Sequence, residues 1–344
     1  MTDPTQKLVE LLELANNYPS PHNGQPMQVR EASVAQLEVY FDTSRGLVAT
    51  PISHLFSFVT IGVFMRHFEL CAEALGHKVQ VTLALPKTSA MGQPGKLRCG
   101  TIDISYDVAV PNSDLQAAIK IRQTSRKKYQ SGLEPSERKQ IEEIAGQYPL
   151  KHHFVSASQA HQIIWLNQRA VFDDMFNAAV RKELAHWLRF SDAEKHTKKD
   201  GLAYDCMELS GASLKAAVRY YKILHWPIVA PWLKRYYLRT MKDSSTVGYI
   251  TAPFQTELQA YTIGRCIMDI WLELTKCGKY LHPFGTIVSN DVAHKDFANI
   301  VGLSGEARKD NYVVFIYRAG RSEPPVRSER IPITEHIYLK GENV

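Results

Sequence analysis

The sequence predicts an α+β chain of two related halves that pair within one polypeptide, and three observations carry that prediction. First, two glycine-punctuated apolar segments recur. "PISHLFSFVTIGVFMRHFELCAEALG" covers residues 51–76 and "PFQTELQAYTIGRCIMDIWLELTKCG" covers 253–278. At a constant offset of 202 they share Pro51/Pro253, Thr60/Thr262, Ile61/Ile263, Gly62/Gly264, Leu70/Leu272 and Gly76/Gly278. Each has apolar residues at helical spacing and a glycine where a helix C-cap belongs. Six identities without a gap favour duplication over coincidence between two core helices. A duplicated chain behaves as a dimer fused into one polypeptide, with a pseudo-twofold axis between halves. Second, a boundary falls at about residues 110–120, dividing a first half, 1–112, from a second, 113–344. Third, a middle segment, 186–250, has no counterpart in the first half and reads as an inserted lid.

In chain order, residues 6–15 have the pattern of an amphipathic helix. A stiff polar connection follows, "NNYPSPHNGQPMQV", with Pro19 and Pro21 around Ser20 and with His22, Asn23 and Gln25 close by. Residues 37–41 read as a strand, then comes the first repeated helix, and 101–110 reads as another strand. A turn at Pro111-Asn112 leads into a helix capped by Ser113 or Asp114. The middle segment holds "GLAYDCMELSG" and "VRYYKILHWPIVAPWLKRYYLRTMK", the latter aromatic, basic and broken by Pro227 and Pro231. Packing on the body or covering a site outranks membrane contact for residues 218–242, although the composition also suits an interface. After the second repeated helix, residues 312–317 form a buried-strand candidate. An extended, proline-rich tail then carries Arg318, Arg321, Arg327 and Arg330.

Bulk properties narrow the function classes. The 344 residues are 44% hydrophobic and 22% charged, which describes a folded chain with a large core. A net charge of +6, from 41 basic and 35 acidic residues, is mild, and no zinc-finger or RNA-binding signature accompanies it. Nucleic acid is therefore not an expected partner. Five cysteines, Cys71, Cys99, Cys206, Cys266 and Cys277, without a CxxC, argue against a disulfide framework or a zinc site. With no signal-like N-terminus and no apolar run of about 20 residues, the expectation is a soluble cytoplasmic protein.

Familiar catalytic signatures are missing. There is no GxGxxG turn, no GxxxxGK[ST] loop and no GxSxG elbow. His152, His153 and His161 stand without HExxH or a carboxylate partner and read as solvated or helix-surface residues. No acid–base pair stands out; Tyr204, Asp205 and His282 are proton-transfer candidates whose plainer reading is surface or packing. What stands out is cationic. "IRQTSRKKY" sets Arg122, Thr124 and Arg126 on a short element, and four-residue spacing on a helix would give the two arginines one face. Forked guanidiniums around a hydroxyl suit a phosphate dianion, although a solvated basic face is the commoner fate of such a run. "VRSER" repeats the pattern with Arg327, Ser328 and Arg330.

These stretches together resemble the flavin-dependent nitroreductase superfamily. "YPSPHNGQP" is similar to that family's PSxHNxQPW segment. "RQTSR" resembles its RxSxR phosphate motif, and the RRTNR of the fused, pseudo-dimeric Acg-type branch more closely. The two TIG helices, "PFGT" at 283–286 and "RSERIP" also have counterparts in the same order. Met27 replaces the family's tryptophan, Ile121 its first arginine and Ser125 its asparagine. The resemblance implies two halves, each with a central, mainly antiparallel sheet packed by helices, and FMN held between them. Arg122, Thr124, Arg126, Arg327 and Arg330 would grip the phosphate and ribityl end. Pro19, Ser20, Pro21 and Asn23 would line the ring, with Pro283, Gly285 and Thr286 near its N5 side. The arginines lie only in the second half and the proline-stiffened loop only in the first, so one composite pocket per chain follows. The implied activity is hydride transfer from NADH or NADPH through FMN to a small acceptor such as a nitroaromatic, quinone or enone, or oxidation of a specialised metabolite. The alternative is non-catalytic storage of FMN beneath the lid. Further dimerisation is left open.

Overall fold

Local chemistry sets the start of the chain. Asp3 caps α1 (Pro4–Ala15), its side chain accepting from Thr5 N–H, with proline in the first turn. The computed structural model describes residues 3–47, 52–241, 245–303, 311–335 and 338–339. Strands β1 (Met27–Ser33) and β2 (Gln36–Asp42) form a hairpin, followed by α2 (Ser53–Ala74), β3 (Lys78–Leu83) and β4 (Lys96–Ser105). Then come α3 (Ser113–Ile121), β5 (Tyr129–Ser131), α4 (Pro135–Ala145) and β6 (Lys151–Phe154). Five helices, α5 (Ala157–Asp174), α6 (Ala178–Trp187), α7 (Asp192–Lys198), α8 (Gly211–Arg219) and α9 (Ala230–Met241), precede the next sheet strand. Among them β7 (Leu188–Arg189) pairs in parallel with β8 (Leu202–Ala203). The chain continues through β9 (Thr246–Ala252), α10 (Glu257–Lys276), β10 (Tyr280–Pro283), α11 (Gly285–Ser289), α12 (Asp291–Ile300), β11 (Tyr312–Ser322) and β12 (Tyr338–Leu339).

Two sheets repeat one topology. The first runs β12-β1-β2-β4-β3 and the second, read from its other edge, β6-β9-β11-β10. In each, two antiparallel strands are followed by a long helix, an edge strand and an inner strand, and the neighbours within the repeated unit are antiparallel. The tail breaks the symmetry, since β12 adds to the first sheet in parallel with β1.

Between the sheets α2 and α10 cross at the two repeated glycines. A Cβ on Gly62 would collide with the carbonyl oxygen of Tyr261, and one on Gly264 with that of Val59. These contacts are reciprocal under the offset of 202. So are the helix ends. His77 N–H donates to Ala72 O and Lys279 N–H to Leu274 O, both at 2.8 Å, with Gly76 and Gly278 at φ +74° and +68°. Both are Schellman caps, whose left-handed residue glycine adopts without steric cost. By length and composition α2 could cross a membrane, but 78% of its apolar stretch is buried inside the fold. One apolar cluster joins both helices to Val29, Val39 and Ile102 of the first sheet and Ile250, Val314 and Ala319 of the second.

Several elements differ from their sequence expectation. The strand expected over 101–110 ends at Ser105, before Asp107 turns to φ +53°. Helix α3 is capped by Asn112, whose Oδ1 accepts from Leu115 N–H at 3.0 Å, rather than by Ser113 or Asp114. It stops at Ile121, so Arg122 and Arg126 share no helical face. Arg122 turns to ψ 125° and Thr124 pairs with Leu281 instead. Pro51 lies outside the described residues, as does Lys242. The helical excursion leaves the second sheet after β6, where the first sheet has only the Val34-Ala35 turn. Its final stretch is not peripheral, since Thr246–Ala252 forms an inner strand buried throughout. Ile250 and Ala252 face the main core, whereas Val247 and Tyr249 face a second cluster built by α5, α9, α11 and α12. His152 is not solvated, because its ring meets the Tyr317 hydroxyl at 2.7 Å.

Candidate functional site

The proline-stiffened loop is bent tightly. His22, Asn23 and Gln25 all have φ between 51° and 54°, a region that costs a non-glycine residue about 1–2 kcal/mol. Hydrogen bonds hold it there. Ser20 Oγ accepts from Gln25 N–H at 3.0 Å, and Tyr18 Oη accepts from Met27 N–H at 2.9 Å. The buried Gln25 amide donates to Lys199 O at 3.0 Å and accepts from Ile331 N–H at 3.1 Å. Asn23 donates to Glu329 O at 3.1 Å. The loop of the first half is therefore clamped by the C-terminal tail on one side and the inserted segment on the other.

The arginines converge on this clamp. Arg122, 5% exposed, donates from Nη2 to Asn17 O at 2.7 Å, and its guanidinium lies 5.0 Å from the Trp271 ring centroid. Arg327 donates to Asn17 Oδ1 at 2.9 Å and to Lys120 O at 2.5 Å. Arg330 lies 5.9 Å from the Tyr18 ring, and its Nη1 is buried without a hydrogen-bond partner, as is Arg122 Nε. Arg126 donates to Cys206 O at 3.3 Å. Among the described residues none of Arg122, Arg126, Arg327 and Arg330 has a carboxylate within ion-pair distance.

Electrostatics records the cost. Burial, then Arg330 and Arg327, push the Arg122 pKa down to about 9. Burial lowers Arg330 to about 10, with Arg327 adding to it. Arg126 and Arg327 are lowered mainly by burial. All four stay charged at neutral pH. Arg122 is buried, Arg126 and Arg330 are half-buried and Arg327 is exposed, so the cost of holding charge without a counter-charge falls mainly on Arg122. Forked guanidiniums without a counter-charge among the described residues have the chemistry to accept an anion, and a phosphate matches their geometry.

The remaining expected residues are placed as follows. Pro19, Ser20, Pro21 and Asn23 lie in the clamped loop, and His22 between them is lowered to about 4 by burial and then by Arg126. Thr124 contributes its backbone pairing with Leu281. Pro283 ends β10, and Gly285 and Thr286 open α11. Their link to the arginines runs through His282, whose Nδ1 accepts from Arg318 Nε at 3.2 Å. Arg318 in turn donates to Arg126 O and Lys127 O at 3.1 and 3.0 Å. His282 is held neutral by burial and then by Arg318 and Arg126. Tyr204 and Asp205 are paired inside the insertion, with Asp192 at 3.0 Å and Lys195 at 2.5 Å.

Sequence reasoning missed Asn17, Tyr18, Gln25, Arg318 and Cys206. Gln25 alone carried a usable signal, as an amide inside the dense polar loop. The others act largely through contacts between distant segments, Asn17 with Arg122 and Arg327, Tyr18 with Arg330, Arg318 with the Arg126 backbone and Cys206 with Arg126.

A strap formed by residues 192–209 covers this arrangement. Asp200 receives Arg189 at 2.5 Å and Arg45 at 2.7 Å. Gly201 sits at φ +77°, where a Cβ would strike Trp187 O, and its N–H donates to Asn23 O at 3.2 Å. His196 pairs with Glu329, and Ser328 Oγ lies 3.6 Å from Cys206 Sγ. A narrow cleft beside Pro21, Pro26, Arg45, Phe56 and Thr60 opens next to the loop.

No protein-family model matches the chain, and no curated protein does. Among solved structures it is similar to the FMN-dependent nitroreductase NfnB from Mycobacterium smegmatis in complex with NADPH. That likeness has 13% identity and a TM-score of 0.37, and covers 61% of this chain and 88% of that one. It is also similar to a mutant of the FMN and NADPH-dependent nitroreductase NfnB from sphigopyxis sp. strain HMH. There the identity is 13% and the TM-score 0.39, over 62% of this chain and 93% of that one.

Proposed function

We propose that the chain binds one FMN between its two halves and works as a nitroreductase-like oxidoreductase. The observation that carries this reading is the set of four arginines without carboxylate partners among the described residues, gathered against a stiff loop from the other half. A phosphate monoester brings about 1.5–2 negative charges at neutral pH and three acceptor oxygens. It would neutralise the cluster and occupy the unpaired Arg122 Nε and Arg330 Nη1. The buried, unpartnered Oδ1 of Asn23 and Oε1 of Gln123 offer acceptors of the kind a polar ring edge requires. The residues present therefore fit the group.

In this reading Arg122, Thr124, Arg126, Arg327 and Arg330 hold the phosphate and ribityl end. Pro19, Ser20, Pro21 and Asn23 line the ring, with Pro283, Gly285 and Thr286 at its far side. FMN, when bound, supplies two-electron hydride chemistry, which fits a sequence in which no acid–base pair stands out. The protein orients, excludes water and holds protons. Tyr237, pushed up to about 12 mainly by burial, keeps its hydroxyl proton near Arg126 and Arg318. His282 stays neutral as an acceptor for Arg318. The donor is NADH or NADPH and the acceptor a small nitroaromatic, quinone or enone; alternatively a specialised metabolite is itself the donor and is oxidised. The repeated strand order and reciprocal glycine crossing favour an origin by duplication, with halves at 1–112 and 113–344.

The strap favours a second reading, storage of FMN without turnover, because it hydrogen-bonds to Asn23 and Gln25 over the loop. Anaerobic mixing of the FMN-loaded protein with NADH or NADPH separates the two. Loss of the yellow oxidised-flavin colour supports turnover, and persistent colour with both nucleotides supports storage. A protein that fails to retain FMN at all overturns both.

A further inference from the structure

The α8–α9 region presents an outward face that the site does not use. Helix α9 turns Leu238 and Met241 into the second core cluster, with Tyr237 packed against it. Its opposite side carries Trp232, Arg235, Tyr236 and Arg239, at i, i+3, i+4 and i+7, so they form one stripe. All four are exposed, and Trp232 stacks on Tyr236 with ring centroids 6.0 Å apart. The loop leading into α9 adds two more exposed apolar side chains, Trp226 at 56% exposure and Ile228 at 80%. Lys215 and Arg219 on α8 and Lys222 after it are exposed as well. No Asp or Glu occurs between Leu209 and Met241. Among the described residues, the acid that ion-pairs with this region from another element is Asp173 on α5, which faces His225 at 3.3 Å; none pairs with Arg235 or Arg239.

We infer that this face docks the protein peripherally onto a bilayer rich in anionic lipid. Indole rings partition to the headgroup level, an exposed isoleucine between prolines reaches the acyl boundary, and flanking basic residues are drawn to acidic headgroups. The charge is complementary to an anionic surface, and the apolar tip explains what a nucleic-acid surface would not, a protruding Ile228 between two tryptophans. From sequence this segment is expected to pack or to cover a site; the structure assigns packing to one face of α9 and leaves the other outward.

Flotation of the full chain with vesicles tests the inference. The lipids are phosphatidylcholine alone and an equal mixture of phosphatidylcholine and phosphatidylglycerol, each at low and high salt. The expected result is binding to the mixed vesicles only, weakened by salt. Arg235→Glu/Arg239→Glu should lower partition by about fivefold or more per charge removed. Trp226→Ala/Ile228→Ser/Trp232→Ala should abolish it, with circular dichroism confirming the fold. Independently of any variant, brominated lipid should quench wild-type tryptophan fluorescence. Equal flotation with neutral vesicles, unaltered binding by both folded variants, no quenching, or retention on duplex DNA without flotation would each overturn the inference.

Discussion

Arg330 lies against the ring of Tyr18, 5.9 Å from its centroid, and among the described residues no carboxylate balances its charge. A residue retained for stability would not be left so. Arg330→Met should therefore leave the ligand-free protein as stable as the wild type or more so, while weakening FMN binding by about 1.5–3 kcal/mol. Thermal melts of the apo-protein alongside FMN titrations check both halves of the statement. Lost apo stability with unchanged affinity would make Arg330 structural.

The strap depends on Asp200. Replacing it with Asn removes the counter-charge shared by Arg45 and by Arg189, which is 3% exposed. Breaking a buried pair from one side costs about 3–5 kcal/mol. Asp200→Asn should release residues 192–209 to limited proteolysis and speed FMN dissociation, with the glycine-crossed core still protected in hydrogen exchange.

The helix crossing should tolerate no side chain. Gly62→Ala and Gly264→Ala each drive a methyl into a backbone carbonyl of the partner helix, and a loss of about 1–3 kcal/mol or more follows. Gly278→Ala is the control, having open space around its Cβ and only its left-handed φ to strain, at about 1 kcal/mol. Denaturant unfolding should rank Gly278→Ala as the mildest of the three.

Acid should destabilise the fold through histidines held neutral, His67 buried and His22 and His152 half-buried. Burial lowers His22 to about 4 and both His67 and His152 to about 3, from 6.5. The unfolded chain then binds more protons than the folded one below pH 6.5, so stability is full above that value and falls as pH drops toward 3–4. His152→Gln keeps a partner for the Tyr317 hydroxyl and removes one titrating group. It should reduce the pH slope of stability by up to one proton in this window, read from melts at several pH values.

The repeated helices were legible because glycines mark both their crossing and their ends, and at the crossing the backbones leave no room for a side chain. The arginine motifs were legible as chemistry, but not as geometry. Nothing local in "RQTSR" shows that α3 stops at Ile121, because that boundary is set by Thr124 pairing with Leu281. Strand β9 was hidden by burial on both faces, which removes the alternation a half-exposed strand displays. Asn17 and Tyr18 escaped notice because their partners, Arg122, Arg327 and Arg330, lie more than 100 residues away.

Comparing FMN with riboflavin in one titration tests the central claim most directly, since the two ligands differ only in the phosphate. If the unpaired arginines form its seat, FMN should bind tighter than riboflavin by about two orders of magnitude or more, and Arg122→Met/Arg330→Met should erase most of that preference. Equal affinities in the wild type, or a preference untouched by the double substitution, would contradict the account.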